Sequence, residues 1–163
     1  MNGHIEDCDQ TVADFAELFI GSSPEPTPWE ELLRHDLLDF SVGSLDHVNA
    51  YLESVRQQPG AEDVWNRICL RAGAYLGEVI RRNGLLQDWH WLDFENARKI
   101  DPTSFDQFGH AISTAFVLHQ GGESFCFPLG KICKYLENGS EDNTHLFAQA
   151  TITRWLETQH EYA

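Results

Sequence analysis

Residues 61–83 read AEDVWNRICLRAGAYLGEVIRRN, and this stretch organises the rest of the chain. Val64, Ile68, Ala72, Tyr75, Leu76, Val79 and Ile80 recur with a 3.6-residue period, which predicts one long helix with a broad apolar face. Arg81 and Arg82 suit its negative C-terminal end, and Asn83-Gly84 supplies a stop. Gly73 and Gly77 stand four residues apart on one side of this helix. Each costs roughly 1 kcal/mol relative to Ala inside a helix, so close approach of another backbone or of a sheet is expected there.

On the C-terminal side the period changes. Trp89-His90-Trp91-Leu92-Asp93-Phe94 alternates as a strand, with Trp89 and Trp91 on one face and His90, Leu92 and Phe94 on the other. Both faces carry large apolar groups, as in a strand covered on both sides; an exposed Trp serving as an interface anchor is the alternative. Asp101-Pro102-Thr103-Ser104 breaks the chain. Residues 111–119 are expected to form a second strand, Gly121-Gly122 a hairpin turn and residues 124–127 its partner. Pro128 opens a helix with Ile132, Cys133, Tyr135 and Leu136, which Asn138-Gly139 closes. Asp142 or Asn143 caps a last helix whose apolar set is Leu146, Phe147, Ala150, Ile152, Trp155 and Leu156.

On the N-terminal side, Asp9 and Thr11 are expected to cap a short helix with Val12, Phe15, Ala16 and Phe19 on one face. Residues 21–26, GSSPEP, read as a linker. Thr27 with Pro28 predicts a helix carrying Glu30 and Glu31 in its first turn, and Ser41 or Ser44 caps the next, striped by Leu45, Val48, Leu52 and Val55. The order of helices, a small antiparallel sheet and helices again is that of an α+β domain. Residues 1–26 are expected to be an acidic leader with a short helix and linker, and residues 27–163 one globular domain.

The segments GAYLGEVIRRN (73–83) and Trp89-His90-Trp91, with the later PLGKICKYLENG (128–139) followed by Glu141-Asp142, resemble a group of uncharacterised bacterial domains. Those domains pair a GxYLGEVIRRN helix with a tryptophan-bearing strand. The resemblance spans the middle and C-terminal two thirds of the chain. It implies a bacterial source and a single α+β domain, and it implies no activity.

Charge narrows the functional classes. With 163 residues, the chain carries 26 acidic and 11 basic side chains, a formal net charge of −15. Such a surface repels phosphate backbones and anionic membranes, and no basic stripe reverses it locally, so neither nucleic acid nor a membrane is an expected partner. A chain of this length buries roughly 70% of its open surface, enough for one core. Met1 to Gln10 is acidic and polar, unlike a signal peptide, and the four cysteines form no close pair in sequence, so a reduced, cytoplasmic setting is expected. Eight acidic residues (Glu6, Asp7, Asp9, Asp14, Glu17, Glu25, Glu30, Glu31) precede the first basic one, Arg34. Such a block is either a solvated leader or a surface that docks on a basic partner.

Signatures of chemistry are sparse. No paired Cys or His ligands have zinc spacing, no glycine-rich phosphate or dinucleotide loop occurs, and no metal or cofactor is expected. His119 and Cys126 flank the predicted hairpin; the pair reads as an imidazole-activated thiolate, or else Cys126, between Phe125 and Phe127, is a small buried hydrophobe. Glu78 sits in an apolar run just before Arg81 and Arg82, which suits a structural ion pair. The same carboxylate with His90 and Asp93 on the strand is the candidate acid–base site of a small enzyme. The preferred expectation is a non-enzymatic acidic protein-binding domain of the immunity or inhibitor kind, covering a basic partner with Glu30, Glu31, Asp36 and Asp39. A scaffold subunit is the third class.

Overall fold

A computed structural model describes the backbone of residues 2–161 apart from 22, 85 and 123, and the side chains of residues 7–154 apart from the same three. Among these, seven α-helices pack on a three-stranded antiparallel sheet, an α+β fold. The helices are α1 (Asn2–Ile20), α2 (Leu45–Val55), α3 (Trp65–Asn83), α4 (Phe94–Ile100), α5 (Pro102–Phe108), α6 (Pro128–Asn138) and α7 (Thr144–Glu161). The strands β1 (His90–Asp93), β2 (Phe116–His119) and β3 (Phe125–Cys126) lie in that order across the sheet.

The long periodic stretch forms α3 after a 3-10 turn at Ala61–Val64, and every residue from Arg71 to Ile80 is buried. A helix covered on all sides is a core element rather than a surface one. Both glycines have the neighbours their cost demanded. A Cβ on Gly73 would stand 2.7 Å from Leu129 Cα in α6, and one on Gly77 would stand 2.1 Å from Trp91 Cζ2 in β1. α6 therefore meets α3 at backbone distance on one turn, and the sheet meets it on the next.

β1 is covered on both faces. Trp89 and Trp91 join the main core with Leu118 and Cys126, whereas Leu92 and Phe94 join a second cluster with Ala97, Phe105 and Val117. That second cluster is roofed by α4 and α5, which the aromatic strand pattern had hidden. Asp101 is the joint between them, capping α5 through Ser104 N at 3.1 Å. The expected strand over 111–119 is shorter: only Phe116–His119 pairs, and Ile112–Thr114 is a 3-10 turn. Pro128 opens α6 and Gly139, at φ 86°, closes it as the spacing predicted. Asn143 takes the capping role on α7, accepting from Leu146 N at 3.0 Å.

Three local expectations fail. Asp9 and Thr11 do not cap a helix, because α1 begins at Asn2 and runs past them. No α-helix follows Thr27; residues 30–37 form two 3-10 turns, since Trp29 adopts φ 51° and breaks the right-handed path before it can propagate. Leu146 and Ala150 face outward on α7, where Thr144 and Ala148 are buried, while the side chains of Trp155 and Leu156 lie outside the described residues. Val12, Ala16 and Phe19 of α1 are fully buried in the same cluster as α2, α3 and α6. The face formed by Val12, Ala16 and Phe19 is thus part of the main core. No described helix is long and apolar enough to cross a membrane.

Candidate functional site

Polar groups gather at a charged network at the end of α3, along the loop from Trp29 to Phe40 and around a cleft beside the sheet.

The network is centred on Glu78, whose side chain is fully buried. Its Oε1 accepts from Arg81 Nε at 2.8 Å and Trp91 Nε1 at 2.9 Å; its Oε2 accepts from Arg81 Nη2 at 3.1 Å and Arg82 Nε at 3.0 Å. Burial pushes the carboxyl up, but the Arg81 and Trp91 hydrogen bonds, the Arg81 charge and the Arg82 bond outweigh it and hold Glu78 below its usual range. Four donors on two oxygens leave this carboxylate ionised and filled.

Asp9 extends the network. Its Oδ1 accepts from Trp91 N at 2.6 Å, and its Oδ2 lies 2.8 Å from His90 Nδ1 and 3.9 Å from Arg81 Nη1. The hydrogen bond with Asp9 raises the His90 pKa, against a smaller desolvation effect, and Asp88 on the other ring nitrogen acts in the same sense. The tertiary structure therefore links Glu78 to His90 through Arg81 and Asp9. Asp93 is bound as the N-cap of α4, to Asn96 N at 2.9 Å and to the Asn96 amide. Asp9 also meets the free edge of β1, whose other edge pairs with β2, so α1 shields an otherwise open strand.

The loop 29–40 is pinned at both ends. Before it, Tyr51 donates to Pro28 O at 2.6 Å and buried Arg71 donates to Thr27 Oγ1 at 3.2 Å. At its far end Phe40 stacks on Tyr75 with ring centres 4.8 Å apart, and the Arg82 guanidinium carbon lies 3.6 Å from the centre of the Phe40 ring. Phe40 N donates to Tyr75 Oη at 3.0 Å and Asn83 Nδ2 donates to Phe40 O at 2.8 Å. Between the pins Leu33 and Leu38 are buried, while Leu32 and Leu37 are 38% and 36% exposed.

The four acidic residues, expected in or beside one helix, lie in this loop instead. Glu30 and Glu31 line a depression of about 540 Å³ whose apolar wall is Ile20 and Leu33, with His35 beside them. Asp36 is held by Arg34 at 3.3 Å and Asp39 by Ser41, and these bonds keep both carboxyls below the usual range. The local partners thus occupy Asp36 and Asp39, and Glu30 and Glu31 face the depression. Leu32 and Leu37 had no signal beyond a polar neighbourhood, because their exposure depends on which Leu residues the core accepts.

The cleft, of about 1010 Å³, lies between β3, α6 and α7. Lys131, Lys134 and Arg154 line it with Trp89, Phe125 and Phe147, and no carboxylate occurs among its described lining residues. Lys131 is also paired with Asp142 at 2.8 Å. Cys126 borders the cleft, but His119 does not activate it. His119 stands opposite Phe125 in the ladder and bonds to Gly122 O at 2.9 Å, whereas Cys126 stands opposite Leu118 on the other face. Burial pushes the Cys126 thiol up to about 12, so it is protonated at neutral pH. Among the described residues, no three His, Cys, Asp or Glu side chains converge on a metal position.

Comparison with protein-family models finds no match to this chain, and neither curated proteins nor solved structures give a significant one.

Proposed function

We propose that this chain is a non-enzymatic, acidic protein-binding domain of the immunity or inhibitor type, docking through the loop 29–40 onto a basic protein surface. The observation that supports it is the pairing of exposed Leu32 and Leu37 with the Glu30–Glu31 depression on a loop fixed at both ends. The apolar wall of Ile20 and Leu33 suits the methylene stem of a Lys or Arg, and the two carboxylates suit its head. Apolar anchors then contribute most of the affinity, while the net charge of −15 accelerates encounter. A loop already held in place loses little entropy on docking.

Tagged protein is used to capture partners from its native cells at low and high salt, beside Glu30→Lys/Glu31→Lys and Leu32→Ser/Leu37→Ser variants. The reading expects one stoichiometric basic partner, retained less well at high salt and lost with both variants. No specific partner, or a partner that both variants retain, overturns it.

The alternative of a small enzyme built on Glu78, His90 and Asp93 has less support: Glu78 is buried with four donors, and the Asp93 carboxylate is engaged as a helix cap with Asn96. A small-molecule reading is favoured by a different observation, the collection of three of the chain's 11 basic residues around the aromatic cleft. That lining suits an aromatic or acyl carboxylate. A thermal-shift screen of such acids tests it, and a Lys134→Glu variant that keeps the shift unchanged argues against it.

A further inference from the structure

The stripe of α3 that carries Gly77 and Gly73 continues one turn back to Cys69, and its partners run the opposite way along α6. A Cβ on Gly77 would stand 3.1 Å from Pro128 Cγ, one on Gly73 stands 2.7 Å from Leu129 Cα, and Cys69 Sγ lies 2.9 Å from Cys133 Sγ. The two helices are antiparallel, and the absence of a side chain at Gly73 brings their backbones close enough for the sulfurs to meet inside van der Waals contact. A disulfide has its sulfurs about 2.05 Å apart, so closing the bond needs a movement of under about 1 Å. Cys69 is buried, Cys133 is half-buried, and both thiols are free.

We propose that Cys69 and Cys133 are a redox-active dithiol, forming a reversible disulfide that locks α3 to α6 when the protein meets a peroxide. This site is independent of the loop 29–40. Cys133 is the attacking sulfur, since it is the less buried of the two residues. Its thiolate attacks one oxygen of hydrogen peroxide and the O–O bond breaks. Cys133 becomes a sulfenic acid, and the departing hydroxide leaves as water with the proton Cys133 gave up. The Cys69 sulfur then attacks the Cys133 sulfur: the S–S bond forms, the S–O bond breaks, and the hydroxyl leaves as water with the Cys69 proton. Two thiols lose two electrons and one peroxide becomes two waters. A dithiol reductant reverses the bond by exchange at the sulfur of Cys133, the less buried residue of the pair.

The division of labour agrees with the electrostatics. The hydrogen bond shared with Cys69 holds the Cys133 pKa below its ordinary value, against burial and Glu137. The same contact, with burial, pushes Cys69 up, so the proton stays on Cys69. Cys8 and Cys126 are both pushed up to about 12, chiefly by burial, and serve as internal controls.

The experiment treats the full chain with hydrogen peroxide, then unfolds it, alkylates it and reads intact mass and peptide map. The expected result is loss of two hydrogens, alkylation of Cys8 and Cys126 only, a 69–133 cross-linked peptide, and full reversal by dithiothreitol. The cross-link closes 64 residues of chain, so the unfolding midpoint should rise by several degrees, up to about 10 °C. Cys69→Ala and Cys133→Ala should each abolish both effects. Four alkylated cysteines after peroxide, a cross-link mapping to another pair or between chains, or Cys133 sulfinic acid in place of the disulfide would each overturn the proposal; the wild-type result decides even where a variant fails to fold.

Discussion

Trp91 donates its indole N–H to the carboxylate of Glu78 at 2.9 Å, and neither side chain is exposed to solvent. The contact joins the central helix to the sheet through a polar bond inside an apolar core. It is possible because Gly77, the residue before Glu78, leaves room for the indole ring. Arg81 and Arg82 complete the carboxylate's shell, so the helix supplies the cations and the strand supplies the last donor.

Removing the Glu78 charge should therefore destabilise the fold. Glu78→Gln keeps the volume but leaves two guanidinium groups facing a neutral amide, at a cost of about 3 kcal/mol or more. Trp91→Phe leaves one oxygen lone pair unmatched in the core and should cost about 1–3 kcal/mol from that loss, besides the packing change. Urea unfolding of each variant measures both. A Glu78→Gln protein as stable as the parent would show that the network is not structural.

Gly77→Ala and Gly73→Ala gain helix propensity of roughly 1 kcal/mol each and should still destabilise. At Gly77 the new methyl would collide with a fully buried indole at 2.1 Å, and at Gly73 with helix backbone at 2.7 Å. Neither neighbour is the free end of a flexible chain, so overpacking of about 1–3 kcal/mol or more should outweigh the propensity gain. Denaturant midpoints lower than the parent's are the expected result.

Stability should have a maximum in mildly acidic solution. Glu78 has a depressed pKa in the folded chain, so its contribution is present above the unfolded value of about 4.3 and is lost as pH falls through the lower folded value. His90 has a raised pKa, so its contribution is full below the unfolded value of about 6.5 and is lost as pH rises through the higher folded value. The unfolding midpoint should thus fall on both sides of a window between those limits. His90→Gln should flatten the alkaline side alone, and Glu78→Gln the acid side alone.

Tyr75→Phe should loosen the loop 29–40 while sparing the core. The hydroxyl accepts from Phe40 N at 3.0 Å and contacts Ser44 Oγ at 2.6 Å, and its loss leaves Phe40 held by ring stacking and Asn83. A global cost of about 1–2 kcal/mol is expected. Amide exchange should rise at residues 38–41 more than along α3, and affinity for the basic partner should fall because the loop must then be ordered on docking.

Much of the scaffold is legible in local sequence. The 3.6-residue period of 64–80 marks the central helix, the alternation at 89–94 marks a strand buried on two faces, and Pro128 with Gly139 bracket α6. Period, caps and stops involve residues a few positions apart, so the chain states them directly. Gly73 and Gly77 even announce a close neighbour, because an unrepaid helix glycine is costly.

The sites are a different matter. Asp9 has the form of a helix cap, yet it serves a strand edge 82 residues further on. Glu30, Glu31, Asp36 and Asp39 look alike in the sequence, and only the folded loop gives two of them local partners and turns the other two toward a depression. Cys69 and Cys133 have no visible relation across 64 residues until Gly73 lets two helices touch. Periodicity records which face of an element is buried; which distant element buries it is settled by packing, and these polar partners are set by packing alone.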